Sequence, residues 1–309
     1  MGRFDDRATR PIRGLGDMLR WKLLRRGVAE ARKRPRDPAF KMPVREPDLA
    51  LLASPRASLT WIGHATFALR LGGKLILTDP VWGRAGGLVA RQVAPGVAFE
   101  ALPAADIVLV THNHMDHMDL PTLRRLGPEA LYVVPLGNAD LLRKEGLLNV
   151  IELDWWETHR LGSNLEVTLV PSRHWSMRMP WNRNDMLWGG FVVRGPEGVA
   201  YHSGDTAFFD DFAEIGRRAG PIDWAMLPIG AYEPRWFMEP QHMNVDEAVR
   251  AYELLGARTM VAMHWGTFVL TDEPIDEPPT RLRTLSSERG YGGDKVWLLD
   301  IGESRALGR

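Results

Sequence analysis

Residues 111–117 read Thr-His-Asn-His-Met-Asp-His, which puts His112, His114, Asp116 and His117 within six consecutive positions. Neutral imidazoles and carboxylates are the ligands that hold zinc, manganese or iron. The chain has nine histidines in 309 residues, so three of them in one short stretch are a poor match to chance. If the segment starts extended, His112 and His114 point the same way, because alternate residues of a strand share a face. Asp116 and His117 then follow a turn and can serve a second ion close by. There is no cysteine, which excludes disulfides, thiolate nucleophiles, iron–sulfur clusters and cysteine-bound zinc. Any metal site in this chain uses His, Asp and Glu.

The elements that must position these groups are short β-runs alternating with helices. Runs are expected at 59–61 and 67–71, on either side of Gly63-His64, with Gly72-Gly73 turning the second into Lys74–Thr78. Further runs at 107–110, 167–170, 199–203 and 260–263 stop at the histidine cluster, at Ser172-Arg173-His174, at Gly204-Asp205 and at His264. Residues that finish strands and enter loops are where α/β folds place their chemistry. One helix is well specified. Asn244 is a good N-cap, Glu247 completes a capping box, and Gly256 stops the element. Val245, Ala248, Val249, Tyr252 and Leu255 form its apolar stripe. His242 lies two residues before the cap, near a helix N-terminus that favours an anion.

Apolar residues make up 45% and charged residues 25%, a globular composition. No apolar run approaches the roughly 18 residues of a spanning helix. The N-terminus lacks the apolar stretch of a secretory signal, so a cytoplasmic protein is expected. The formal net charge of zero argues against a nucleic-acid partner. It conceals an asymmetry, because residues 1–50 carry fourteen Lys/Arg against seven Asp/Glu, a net of +7, and the remainder carries −7. This basic extension is broken by Pro35, Pro38, Pro43 and Pro47. A helix is expected over 15–28, with Leu15, Met18, Leu19 and Leu23 on one face, although Lys22 and Arg26 project there too. The extension reads as a tail packed on the body, as a basic arm touching an anionic membrane surface, or as a transit peptide. Residues 51–309 are expected to form a single catalytic domain. After His174, the stretch Met177, Met179, Trp181, Met186, Leu187 and Trp188 offers an apolar rim for acyl chains.

A His-x-His-x-Asp-His string after a β-strand, then a lone histidine, an aspartate and a final histidine, is the signature of the metallo-β-lactamase superfamily. Here His174, Asp205 and His264 follow His117 at intervals of 57, 31 and 59 residues. Longer strings narrow the resemblance. They are Gly63-His64-Ala65-Thr66, residues 152–157 and 230–238, Gln241-His242 and His264-Trp265-Gly266-Thr267-Phe268. From Leu59 to Ser304 the chain resembles the N-acylphosphatidylethanolamine-hydrolysing phospholipase D family. Met115, Arg173 and Met177 depart from that family's pattern in and beside the ligand motifs.

The resemblance implies an α/β fold, an αββα sandwich of the metallo-β-lactamase type with two divalent metal ions at the sheet edges. His112, His114 and His174 would hold one ion, Asp116, His117 and His264 the other, and Asp205 would bridge them. Zinc is the first expectation, and Mn²⁺ or Fe²⁺ also suit the ligands. Two cations ~3.5 to 4 Å apart can share a hydroxide whose parent water is far more acidic than bulk. That hydroxide would attack the phosphorus of a phospholipid, and no protein nucleophile is needed. Asp205 and His242 are the catalytic candidates, His242 by phosphate contact or proton delivery. Asp79 is expected to orient a metal histidine from behind, and His64 either does the same or simply packs. Gln241, Tyr232 and Arg235 are candidates for substrate contact, the last two being equally able to brace their loop. A homodimer and a peripheral contact with an anionic membrane are compatible with this reading. The alternatives are a two-metal lactonase or esterase acting on a small soluble substrate, a di-iron redox protein, and a lipid-binding protein that leaves the ligand set unused.

Overall fold

The computed structural model describes residues 2–8, 13–24 and 36–308. The first half of the body forms β1 (Ser58–Gly63), β2 (Thr66–Leu71), β3 (Lys74–Thr78), β4 (Ile107–Leu109), β5 (Leu131–Pro135) and β6 (Val150–Leu153). The second forms β7 (Thr158–Leu161), β8 (Leu165–Val170), β9 (Gly190–Gly195), β10 (Gly198–His202), β11 (Trp224–Pro228), β12 (Thr259–Met263) and β13 (Val296–Trp297). The last strand, β14 (Ser304–Ala306), returns to the first sheet beside β1. The result is two seven-stranded sheets, ordered β14-β1-β2-β3-β4-β5-β6 and β13-β12-β11-β10-β9-β8-β7. From β14 and from β7 inward, each sheet has three antiparallel pairings followed by three parallel ones.

The period of two sorts side chains between layers. On the first sheet, Leu59, Trp61, Phe67, Leu69, Ile107, Leu109 and Val133 face the second sheet. Their alternates Ile62, Ala68, Leu75, Leu77, Val108, Tyr132 and Val134 face outward. Leu52 of α2 (Leu49–Ala53), Leu123 of α3 (Leu120–Leu126) and Leu142 of α4 (Ala139–Lys144) cover that outer face. The second sheet is covered by Phe212 and Ile215 of α5 (Asp211–Ala219) and by Leu282 and Leu285 of a C-terminal helix, Glu277–Glu288. The best-specified helix also lies there, Val245–Leu255, with Val245, Val249 and Tyr252 turned inward. Asn244 accepts from Glu247 N and Glu247 reaches back to Asn244 N, while Gly256 adopts the left-handed conformation. A single turn at Arg235–Met238 precedes it, so these last three helices in chain order are α6, α7 and α8. Two sheets between two layers of helices form an αββα sandwich.

The described part of the extension lies on the body. Phe4 is buried in the main core, and α1 (Leu15–Leu24) buries Trp21 against Ala231, Phe237 and Met238. Of the expected apolar face of this helix, Met18 and Leu19 are exposed, and Trp21 is turned inward. The part of the expected helix beyond Leu24 lies outside the described residues.

Strand direction sets the site. Two antiparallel pairings restore direction, so β1, β3 and β4 run the same way, as do β8, β10, β11 and β12. His64, Asp79, the 111–117 segment, His174, Asp205 and His264 follow the C-terminal ends of these strands.

Candidate metal centre

Seven of the nine histidines converge with Asp116 and Asp205. One group is His112, His114 and His174. The Nδ1 of His114 lies 2.9 Å from His112 Nε2 and 3.2 Å from His174 Nε2. A second group is His64, Asp116, His117 and His264. In it, Asp116 Oδ2 lies 3.1 Å from His64 Nε2, 3.7 Å from His117 Nε2 and 3.8 Å from His264 Nε2. Asp205 stands between them. Its Oδ2 is 3.2 Å from His117 Nε2, 3.8 Å from His174 Nε2 and 4.0 Å from His112 Nε2. Its Oδ1 is 3.1 Å from His264 Nε2.

The outer contacts decide which nitrogens carry protons. His174 Nδ1 meets the carbonyl of Gln241 at 3.0 Å, and a carbonyl only accepts, so the proton is on Nδ1. The same holds for His117, whose Nδ1 donates to Asp79 Oδ2 at 2.7 Å. The Thr111 hydroxyl donates to Asp79 at 2.7 Å and so accepts from His112 Nδ1 at 3.0 Å. His112 and His174 therefore turn bare Nε2 lone pairs inward, and Nε2 is the one nitrogen His117 has left to offer a metal. Lone pairs crowded this closely repel unless a cation or proton sits among them. The buried Nε2 atoms of His117 and His264 and Oδ1 of Asp205 have no hydrogen-bond partner, which is the donor set a metal ion satisfies.

Electrostatics point the same way. Burial, then the neighbouring histidines, pulls His64 and His114 down to about 3. Burial also lowers His174 to about 4, and it holds His112 and His242 well below the usual histidine range. These rings are neutral and able to ligate at ordinary pH. His117 is the exception, because burial is outweighed by Asp205, Asp116 and Asp79, which raise it. Burial would raise Asp205, but His117, His264 and His242 hold it well below the ordinary carboxylate range.

Local backbone is specialised here. His64, Asp79 and His264 adopt φ of 56°, 38° and 60°, left-handed values that cost a non-glycine residue and that concentrate at functional sites. The His64 carbonyl accepts from His264 N at 3.0 Å, and its amide donates to Thr267 Oγ1 at 2.6 Å. The β1–β2 turn of one sheet is thus tied to the β12 end of the other. Gly204 (φ 59°) lies so close to Thr111 that a Cβ there would be 2.7 Å from the Thr111 Cβ.

Not every expected contact is found. His64 was expected behind the ligands or in ordinary packing, whereas its Nε2 belongs to the second group. His242 stands at the cluster's edge, its Nε2 3.9 Å from Asp205 Oδ2. Tyr232 donates its hydroxyl to Glu277 at 2.7 Å, and Arg235 pairs with both oxygens of Glu247 at 2.9 Å and donates to the His242 carbonyl at 3.1 Å. These two are engaged in bracing the loop. Gln241 serves through its carbonyl. In the expected apolar rim, Leu187 and Trp188 are fully buried core residues, held because Leu187 N donates to Leu136 O and Trp188 Nε1 to Ser172 O. Met179 and Trp181 are exposed. Sequence reasoning missed Thr111, although its position directly before His112 was the signal.

This fold and this donor set define a class. The β-lactamase superfamily domain matches residues 74–265, and the chain belongs to that superfamily as a metal-dependent hydrolase of the metallo-β-lactamase type. It resembles N-acyl-phosphatidylethanolamine-hydrolyzing phospholipase D 1 of Caenorhabditis elegans, at 36% identity over 263 residues, covering 79% of this chain and 74% of the relative. A metal-dependent hydrolase of Caldivirga maquilingensis is 34% identical over 238 residues, covering 74% of this chain and 88% of its own. The isothiocyanate hydrolase from Delia radicum gut bacteria shares the fold, with a TM-score of 0.68 at 24% identity over 82% of this chain and 100% of that one.

Proposed function

We propose that the protein is a phosphodiesterase of the phospholipase D type that hydrolyses N-acylphosphatidylethanolamine or a related glycerophospholipid. The observation that carries the reading is the 36% identity with the nematode phospholipase over most of both chains, joined to a complete ligand cluster. His112, His114 and His174 would hold one divalent ion, and Asp116, His117 and His264, with His64 beside them, a second. Asp205 would reach both. Such ions, zinc foremost, supply Lewis acidity and an activated water when bound. The chain's own part is to keep the pairs rigid. Asp79 fixes His117 and, through Thr111, His112, and the Gln241 carbonyl fixes His174. His242, kept neutral by burial, retains one N–H with which to hydrogen-bond a phosphoryl or leaving oxygen.

The test is an assay of vesicles containing N-acylphosphatidylethanolamine, reading phosphatidic acid released, beside a panel of lactones and soluble phosphodiesters. Activity on the phospholipid should vanish after chelation and return with zinc. His242→Ala should lower kcat/KM by ~10²- to 10⁴-fold with zinc content unchanged. Turnover of lactones with the phospholipid untouched would replace this reading by that of a soluble-ester hydrolase.

A further inference from the structure

His174 is the ligand with the least local support. It lies in the connection 171–189 between β8 and β9, longer than most structureless connections in compact domains. Its outer partner, the Gln241 carbonyl, lies in a second irregular stretch, 229–244, whose regular structure is the single turn α6. His112 and His117, by contrast, are backed directly by Asp79 and Thr111 at strand ends. Something must fix the two loops relative to each other and to the sheets.

We infer that the two described N-terminal pieces, residues 2–8 and 13–24, strap His174 in place from both sides, with Asp5 and Trp21 as their anchors. The first anchor grips the 171–189 loop. Phe4 N donates to Asn184 O at 2.8 Å, and Asp5 Oδ1 accepts from Asn184 Nδ2 at 2.9 Å. Asn184 is buried with a left-handed φ of 57°. It exchanges two hydrogen bonds with Ser176, at 2.8 and 3.2 Å, two residues beyond His174. Phe4 itself is buried in the core, so the anchor does not slide. The second anchor grips the 229–244 loop. Trp21 packs on Phe237, ring centroids 5.0 Å apart, and on Met238, and its Nε1 donates to Asp272 at 2.5 Å. Arg13 Nε donates to Trp236 O at 3.1 Å. The Met238 carbonyl then receives Gln241 N and His242 N, at 2.9 and 2.8 Å, which sets the Gln241 carbonyl that holds His174. Both routes end on one ligand. Asp5 and Trp21 lie outside residues 74–265, the stretch that matches the superfamily domain. Asp5 and Trp21 are positioning residues and touch neither metal nor substrate.

The inference rests on the metal-hydrolase reading and is independent of the substrate, because metal retention is read directly. The test uses the full-length, zinc-loaded chain carrying Asp5→Ala, Trp21→Ala or both. Zinc per chain is measured by elemental analysis after dialysis against graded dipicolinate, and Tm is measured on the metal-free protein. Changing the outer partner of a ligand costs about 10- to 100-fold in affinity. One contact further out, the double variant should lose half its zinc at roughly 3- to 10-fold lower chelator. Arg45→Ala, whose guanidinium meets Asp300 at 3.1 Å in the same extension, should leave the curve in place. Leu285→Ala, in the core of α8, controls for plain destabilisation. The proposal is overturned if the double variant keeps the parent's curve. It is equally overturned if Leu285→Ala, at a matched fall in metal-free Tm, shifts zinc release by the same amount.

Discussion

Asp205 shows how much one residue can be asked to do. Its two oxygens face different histidines, Oδ1 toward His264 at 3.1 Å and Oδ2 toward His117 at 3.2 Å. An amide in its place keeps the shape, loses the charge and turns an N–H toward one group. Asp205→Asn should therefore retain the fold, lose at least one of two bound zinc ions by elemental analysis, and lose turnover with it. Near-normal turnover with two metals per chain would remove Asp205 from the bridging role. The histidines also make a stability statement. Buried His64 and His114 titrate near 3 and His174 near 4 in the folded protein, against roughly 6.5 when unfolded. Above pH 6.5 both states are neutral. As pH falls toward 4, the unfolded chain binds protons that the folded chain refuses, so stability is lost. At pH 5 the loss is about 2 kcal/mol for each such group at most. His117, raised instead, gains stability on acidification and offsets part of it. The urea midpoint of the chelator-treated protein should fall from pH 7.5 to pH 5, and a level midpoint would mean that these rings accept protons in place.

At the scale of elements, the end of β10 is packed tightly against the end of β4. Gly204 has φ 59°, and its missing Cβ would overlap Thr111, whose hydroxyl links Asp79 to His112. Gly204→Ala adds left-handed strain of ~1 to 2 kcal/mol and overpacking of ~1 to 3 kcal/mol. The metal-free variant should lose about 2 to 5 kcal/mol by urea denaturation and bind zinc more weakly, and an unchanged midpoint would show that the joint is loose. The elements around this joint were legible in the sequence. The Gly72-Gly73 hairpin, the strand stopping at the 111–117 cluster and the Asn244–Gly256 cap pair are local chemistry, and they stand where the sequence puts them. What was not legible depends on partners distant in the chain. Nothing in residues 15–24 says that Trp21, rather than Met18 or Leu19, finds Phe237 and Met238. Leu187 and Trp188 look like a greasy rim until β9 is seen to draw them into the sandwich. His64 carries no ligand spacing. It reaches Asp116 because the β1–β2 turn is bent left-handed and pinned by Thr267 and His264 from the other sheet.

For the whole molecule, the proposed phospholipid substrate requires a route from a bilayer to a deeply buried cluster. Among the described residues no helix is long and apolar enough to cross a membrane. The charge is divided, +7 in residues 1–50 and −7 in the remainder. Part of that positive charge is already committed to the body, Arg7 to Asp154 at 3.3 Å and Arg45 to Asp300 at 3.1 Å. The residues near the ligand motifs add apolar exposure. Trp181 is 76% exposed in the loop after His174, and Leu88 is 82% exposed in a turn whose Gly86 abuts Met115 of the 111–117 segment. A peripheral mode of binding would use both terms. Each uncommitted Lys or Arg near an anionic surface contributes ~1 kcal/mol, and salt removes that contribution. Inserted Trp181 and Leu88 do not feel salt. Binding of the full-length protein to anionic vesicles, followed by co-sedimentation, should weaken as salt rises without disappearing. Trp181→Ala with Leu88→Ala should remove the salt-resistant remainder while hydrolysis of a short-chain soluble substrate continues. A protein that ignores anionic vesicles even at low salt would have no physical means of reaching a bilayer phospholipid, and a small soluble ester would then be the better-supported substrate.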